Sequence, residues 1–226
     1  MSRQDNRRQR QRVYRTERSV VKRFVPNVSW HNMLAMKTIR EARERRTRDQ
    51  VVPQLREVFR RFGYEGATLT RISEHTGLGR ASLYHHFPNG KDEMIQAVFE
   101  QTEAAFDREI LGRLRSALPP QQRIKTVLEY IWTHYKGGST TCFLALLSLT
   151  SNDDELCSGI DRVFRKWITG FTDVIRESGV PLKLAKSRAE DAVIQIQGAL
   201  VLAIAIDDPR VFQRVMRNLG DSLLRK

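Results

Sequence analysis

Cysteine is nearly absent from this chain: Cys142 and Cys157 are the two thiols in 226 residues. Neither stands at the spacing of a zinc ligand pair or of a redox dithiol, which sets aside a disulfide scaffold, a zinc module and a thiol oxidoreductase. Cys142 reads as a small apolar filler. Long apolar runs are absent too. The longest, Gly198 to Ile206, is about half the ~20 residues that a membrane-spanning helix needs. The arginine-rich start leads into no apolar segment of the signal-peptide kind, so the expected setting is the cytoplasm, with no membrane partner. No nucleophile–base–orienter set, phosphate-cradling glycine loop or metal-spaced cluster is present, which argues against an enzyme, a cofactor or a metal. Strand alternation and internal repeats are missing as well.

What the chain has is positive charge, +13 overall and unevenly spread. Residues 1–35 carry nine Lys and Arg against two Asp and Glu, residues 36–95 twelve against eight, and residues 96–226 eighteen against sixteen. The excess lies in the N-terminal half, while the C-terminal half is balanced like an ordinary globular domain. A basic face attracts nucleic acid through counterion release without itself reading sequence.

Composition and helical punctuation divide the chain into three. Residues 1–36 form a basic tail dominated by Arg and Gln from Ser2 to Arg12. A start codon placed upstream of Met33 or Met36, a phosphate-tracking or minor-groove arm, and a solvated tail without a role all fit it. Residues 37–95 read as a helical DNA-binding unit. Lys37 to Asp49 is charged and helix-compatible, and Val51, Leu55, Val58, Phe59 and Phe62 keep the helical period as far as Gly63. A linking helix is expected from about Lys91 to Ala117, stopped by Leu118-Pro119-Pro120. Within residues 96–226, further helices close at Lys136-Gly137-Gly138, cover Cys142 to Leu149, open at Asn152-Asp153, cover Leu182 to Ile206, and follow Pro209 from Val211 to Leu224. The expected fold is all-α: an N-terminal three-helix helix-turn-helix domain, then a C-terminal helical domain for ligand binding and dimerisation.

Thr68 to Phe87 is the most informative stretch. It reads as two short helices around a glycine turn, the arrangement that places a second helix in the DNA major groove. Thr68 is suited to N-cap the first helix. Gly77 stands where the chain must turn through the left-handed region. Ile72, Leu78, Leu83 and Phe87 can form a small core, leaving Arg80, Ser82, Tyr84 and His85 to face outward. Guanidinium, hydroxyl and imidazole groups are donors to phosphate oxygens and base edges. Ala81 is small enough for close backbone approach. His85 and His86 point about 100° apart on a helix and make a poor pair of ligands for one ion.

Gly63-Tyr64, the Thr68–Phe87 run with its Leu83-Tyr84-His85-His86-Phe87, and Lys91 together resemble the N-terminal domain of the TetR family of one-component transcriptional regulators. The resemblance covers Arg48 to Phe99 at the level of motifs. It implies DNA contacts through Thr68, Arg80, Ala81 (by its backbone), Ser82, Tyr84, His85 and Lys91. Two positions depart from the pattern. Gly79 stands where family members often have serine, which would remove one phosphate contact. Pro53 falls inside the expected first helix and would kink it unless that helix begins near Asp49.

Ala192 to Ile206 is apolar almost all round, interrupted by Gln195 and Gln197. With Val211, Phe212, Val215, Met216, Leu219 and Leu223 it could supply half of a four-helix dimer interface, and the family resemblance implies a homodimer through the same last two helices. Trp132, Tyr135, Phe143, Phe164, Trp167 and Phe171 are aromatics on three helices expected near the centre of the second domain. They are candidates for a pocket that takes a small lipophilic effector, with His134, Gln195 and Gln197 as weaker polar candidates. Aromatics at this spacing equally suit a plain core. The leading expectation is a ligand-responsive regulator, most often a repressor in the family, that binds a palindromic double-stranded operator as a dimer. The alternative is a sequence-nonspecific, nucleoid-type DNA binder whose C-terminal half serves only to dimerise.

Overall fold

The computed structural model describes residues 47–225, which contain helices and no strand. The readings made for the basic tail and for Lys37 to Arg46 lie outside the described residues. Helix α1 spans Arg48–Gly66, α2 Leu69–Thr76, α3 Arg80–His86 and α4 Lys91–Phe106. They are followed by α5 (Pro120–His134), α6 (Phe143–Thr150), α7 (Asp154–Glu177), α8 (Leu182–Ala205) and α9 (Arg210–Leu224).

Local chemistry sets most of these boundaries. The Gln50 side-chain carbonyl accepts the Thr47 N–H at 3.1 Å at the start of α1, and the helix runs through Pro53 without a break in its backbone angles. Because α1 begins at Arg48, proline removes a single hydrogen bond near its start. The break falls at Gly63 instead, at φ 66°, and regular helix ends there. Thr68 caps α2 by accepting the Arg71 N–H at 3.3 Å, Gly77 closes it at φ 68°, ψ 13°, and Asp153 caps α7 by accepting the Leu156 N–H at 2.7 Å.

The linking helix departs from its expected course. After Phe106 it widens into a π turn over Asp107–Leu111, resumes as α-helix for Gly112–Leu114 and stops there, short of Ala117. Arg123 of α5 catches that end: its Nη1 donates to the Leu114 carbonyl at 3.0 Å, and its Nη2 donates to the Glu177 carboxylate of α7.

Val51, Leu55, Val58 and Phe59 of α1 pack with Ile72, Leu78, Leu83 and Phe87 and with Met94 and Val98 of α4 into one fully buried core. In the second domain α7 lies along α8 and α8 along α9, with α5 against α7 and α9. Helix α4 approaches α7 closely at Gly159, where a Cβ would stand 2.6 Å from the Phe99 ring. Helix α6 packs directly on α1, so the second domain touches the helix-turn-helix unit at a place other than the linking helix.

Candidate nucleic-acid interface and interior cavity

Helix α3 is short, and its two sides differ. Leu83 and Phe87 are fully buried, while Arg80, Ala81, Tyr84 and His85 are exposed and Ser82 is half-buried. Positions 80, 81, 84 and 85 lie one turn apart in pairs and form a single outward face. Arg80 opens the helix, with its Nη2 3.4 Å from the Thr70 hydroxyl, which orients the guanidinium while leaving most of its donors free. The exposed Thr68 hydroxyl accepts a backbone N–H and keeps its own proton to donate.

Lys91 is held more firmly than its sequence position suggests. Its ammonium donates to the Tyr64 carbonyl at 3.1 Å and lies 4.0 Å from the centre of the Tyr64 ring. Tyr64 donates its hydroxyl to Asp92. Burial and then that carboxylate push its pKa up to about 12. Arg48 pairs with Glu93 at 2.7 Å and lies over the Phe87 ring. Both ends of α1 are therefore fastened to the first turn of α4. His86 lies beside His85 and Phe87 with its Nε2 buried and unpartnered among the described residues. Burial first, then the neighbouring His85 and Arg48, lowers its imidazole pKa.

The second feature is a cavity of about 370 Å³ enclosed by α1, α4, α5, α6 and α7, within the size range of small-molecule sites. Tyr135, Phe143, Phe164 and Trp167 line it. Trp167 in its wall is edge-on to Phe106 at 5.8 Å and stacked with Phe164 at 6.3 Å. Two of the six expected aromatics lie elsewhere. Trp132 packs against Phe212 of α9 at 6.3 Å, on the other side of α5. Phe171, one turn beyond Trp167, is wholly enclosed in the core. His134 lines the cavity, with its Nδ1 3.3 Å from the Tyr130 hydroxyl. Gln195 and Gln197 do not line it.

Other lining residues were not singled out from the sequence. Phe106 and Ile110 reach the wall from the π turn and the residue before it, and Cys142 closes it beside Tyr135. Arg56, Glu57 and Arg60 come from α1 of the helix-turn-helix unit itself. Arg56 and Arg60 at i, i+4 on the first helix were the available signal, but their spacing equally suits a solvated face.

Two family descriptions match the chain. "Bacterial regulatory proteins, tetR family" matches residues 54–98, and "Transcriptional regulator LmrA/YxaF-like, C-terminal domain" matches residues 120–218. The chain belongs to the TetR family. It is a DNA-binding transcriptional regulator, and the family is one of regulators and not of enzymes. It is similar to the HTH-type transcriptional regulator LmrA of Bacillus subtilis, at 23% identity over 79% of this chain and 97% of that protein. The HTH-type transcriptional repressor AcnR of Corynebacterium jeikeium is 31% identical over 30% of this chain and 38% of its own. Among solved structures, a TetR transcriptional regulator from Legionella pneumophila shares the fold with a TM-score of 0.70, at 17% identity over 78% of this chain and 97% of that one. Among the described residues no helix is long and apolar enough to cross a membrane.

Proposed function

We propose that this TetR-family chain is a ligand-responsive cytoplasmic repressor that binds a palindromic operator as a homodimer and leaves it when a small molecule fills the interior cavity. The observation that carries this reading is the cavity wall: it joins the aromatic second domain to α1 of the DNA-binding unit. A molecule bound there has different contacts in any two arrangements of those parts, which is the condition for shifting their equilibrium. Thr68, Arg80, Ala81, Ser82, Tyr84, His85 and Lys91 are the groups that meet DNA in this reading. Arg80 and Tyr84 stand on the face that enters the major groove, and Lys91 lies beside a phosphate.

Dimerisation through α8 and α9 is supported by one side of α8. Ile194 and Val201 are more than half exposed, with Leu202 and Ile206 close to half, and Gly198 lies between them with nothing near its missing Cβ. A glycine inside an exposed helix destabilises it by about 1 kcal/mol relative to alanine unless another backbone approaches closely there. A second copy of α8 would supply that approach.

The nonspecific alternative gives no role to an aromatic cavity built partly from the reading unit. Selection of duplexes from a randomised pool by the native protein tests the choice. Enrichment of an inverted repeat with half-sites about one or more helical turns apart is the expected result. Recovery of unenriched DNA would favour the alternative.

A further inference from the structure

The aromatic lining of the cavity does not account for its polar groups. Arg56, Arg60 and Lys136 contribute three cations to the wall, and Glu57 contributes the one carboxylate among the described lining residues. Glu57 is already engaged, accepting from Arg60 Nε at 3.1 Å and Nη2 at 2.5 Å. The Arg60 hydrogen bond is the main cause that holds its carboxyl below the usual range, with Arg56 and Lys136 adding to it. Arg56 is half-buried and has no hydrogen bond or ion pair among the described residues.

Trp167 makes the same point from the opposite wall. It is 4% exposed, lines the cavity, and has its indole N–H buried with no acceptor among the described residues. Buried donors of this kind are costly unless something accepts from them. The cavity therefore holds a surplus of positive charge and of donors around flat aromatic surfaces. A neutral hydrocarbon would leave both unmatched, and a cation would be repelled.

We propose that the cavity takes an aromatic acid whose rings lie against Trp167 and Phe106 and whose anionic oxygens pair with Arg56, so that the DNA-reading unit itself grips the effector. This rests on the reading of the cavity as a ligand site. Arg56 belongs to α1, as do Glu57 and Arg60, while the aromatic lining residues come from the chain after the helix-turn-helix unit, Phe106 to Trp167. An acid bound across them ties the head to the second domain directly, in addition to any signal that travels along α4. Its differential affinity for two head positions is then set largely by whether Arg56 can reach it.

A matched pair of dyes tests the proposal. 8-Anilinonaphthalene-1-sulfonate and N-phenyl-1-naphthylamine share a ring frame and differ in the sulfonate. Fluorescence titration of the native protein is expected to give roughly tenfold or tighter binding of the sulfonate, the scale of one charge-assisted hydrogen bond. Arg56→Gln should abolish that preference while leaving the neutral dye's affinity unchanged, and the cavity-filling Ala105→Trp should remove both dyes. With the duplex recovered by selection, the sulfonate should release native protein from DNA and fail to release Arg56→Gln. Equal binding of the two dyes, or an Arg56→Gln variant that keeps the sulfonate preference, overturns the proposal and leaves the cavity reading intact. Sulfonate binding through Arg56 without release of DNA overturns the claim that the grip is regulatory. If neither dye binds, or if Ala105→Trp leaves both bound, the cavity reading falls together with the proposal.

Discussion

Arg123 donates to the backbone carbonyl of Leu114 at 3.0 Å, tying α5 to the last turn of the linking helix. Arg123 is 7% exposed, and its guanidinium also reaches Glu177 of α7. Arg123→Ala leaves that carbonyl without its donor and removes the tie among three helices. It should lower the unfolding free energy by about 2 kcal/mol in urea titration. Unchanged stability would mean that the end of α4 is held by packing alone.

Gly79 precedes α3 at φ −69° and ψ 160°, backbone angles open to any residue, and a Cβ there meets nothing within 4 Å. Gly79→Ser should therefore fit without strain and cap the first turn of α3. A gain of a few tenths of a kcal/mol in stability is expected, together with tighter DNA binding through the added hydroxyl. Weaker binding would show that the missing hydroxyl is not a lost phosphate contact.

His86 gives a pH prediction. Its folded pKa lies below the ordinary value because the ring is buried next to His85 and Arg48. Such a group takes up a proton on unfolding. Its effect on stability is therefore absent above about pH 6.5, and stability falls as pH drops below that value toward the folded pKa. The loss in urea midpoint between about pH 7.5 and about pH 5.5 should be smaller in His86→Gln than in the native protein. An equal loss would place the titration elsewhere.

Val201 is 63% exposed in the middle of the apolar side of α8. Val201→Glu should leave helical content unchanged and convert a dimer to a monomer in light-scattering chromatography. Binding to a two-half-site duplex should weaken accordingly, because the second reading head is no longer attached. A variant that stays dimeric would move the interface off this face.

Much of the fold was legible because its punctuation is chemical and local. Thr68, Gly77 and Asp153 act where their side chains or backbone freedom suit them, and Ile72, Leu78, Leu83 and Phe87 are buried as their spacing requires. The cavity was legible only in part. Helical period tells which residues share a face, but not which neighbour that face meets. Phe164 and Trp167 line the cavity, whereas Trp132 faces α9 and Phe171 fills the core. The π turn left no mark in the hydrophobic pattern, although Ile110 within it and Phe106 just before it both line the wall. Arg56 was hidden for another reason: a charged residue on a first helix reads as surface until a second domain packs against it.

In the proposed mode of DNA binding, α3 reads base sequence and Lys91 supplies nonspecific attraction. Its most direct test is titration of native, Arg80→Ala and Lys91→Ala proteins into the selected duplex and a scrambled one at several salt concentrations. Native protein should prefer the selected duplex by roughly a thousandfold or more. Arg80→Ala should lose about 1–3 kcal/mol on the selected duplex and little on the scrambled one, if Arg80 meets a guanine edge. Lys91→Ala should weaken both and reduce the salt slope by about one. Equal affinity of native protein for the two duplexes, with neither substitution separating them, would contradict sequence reading by α3.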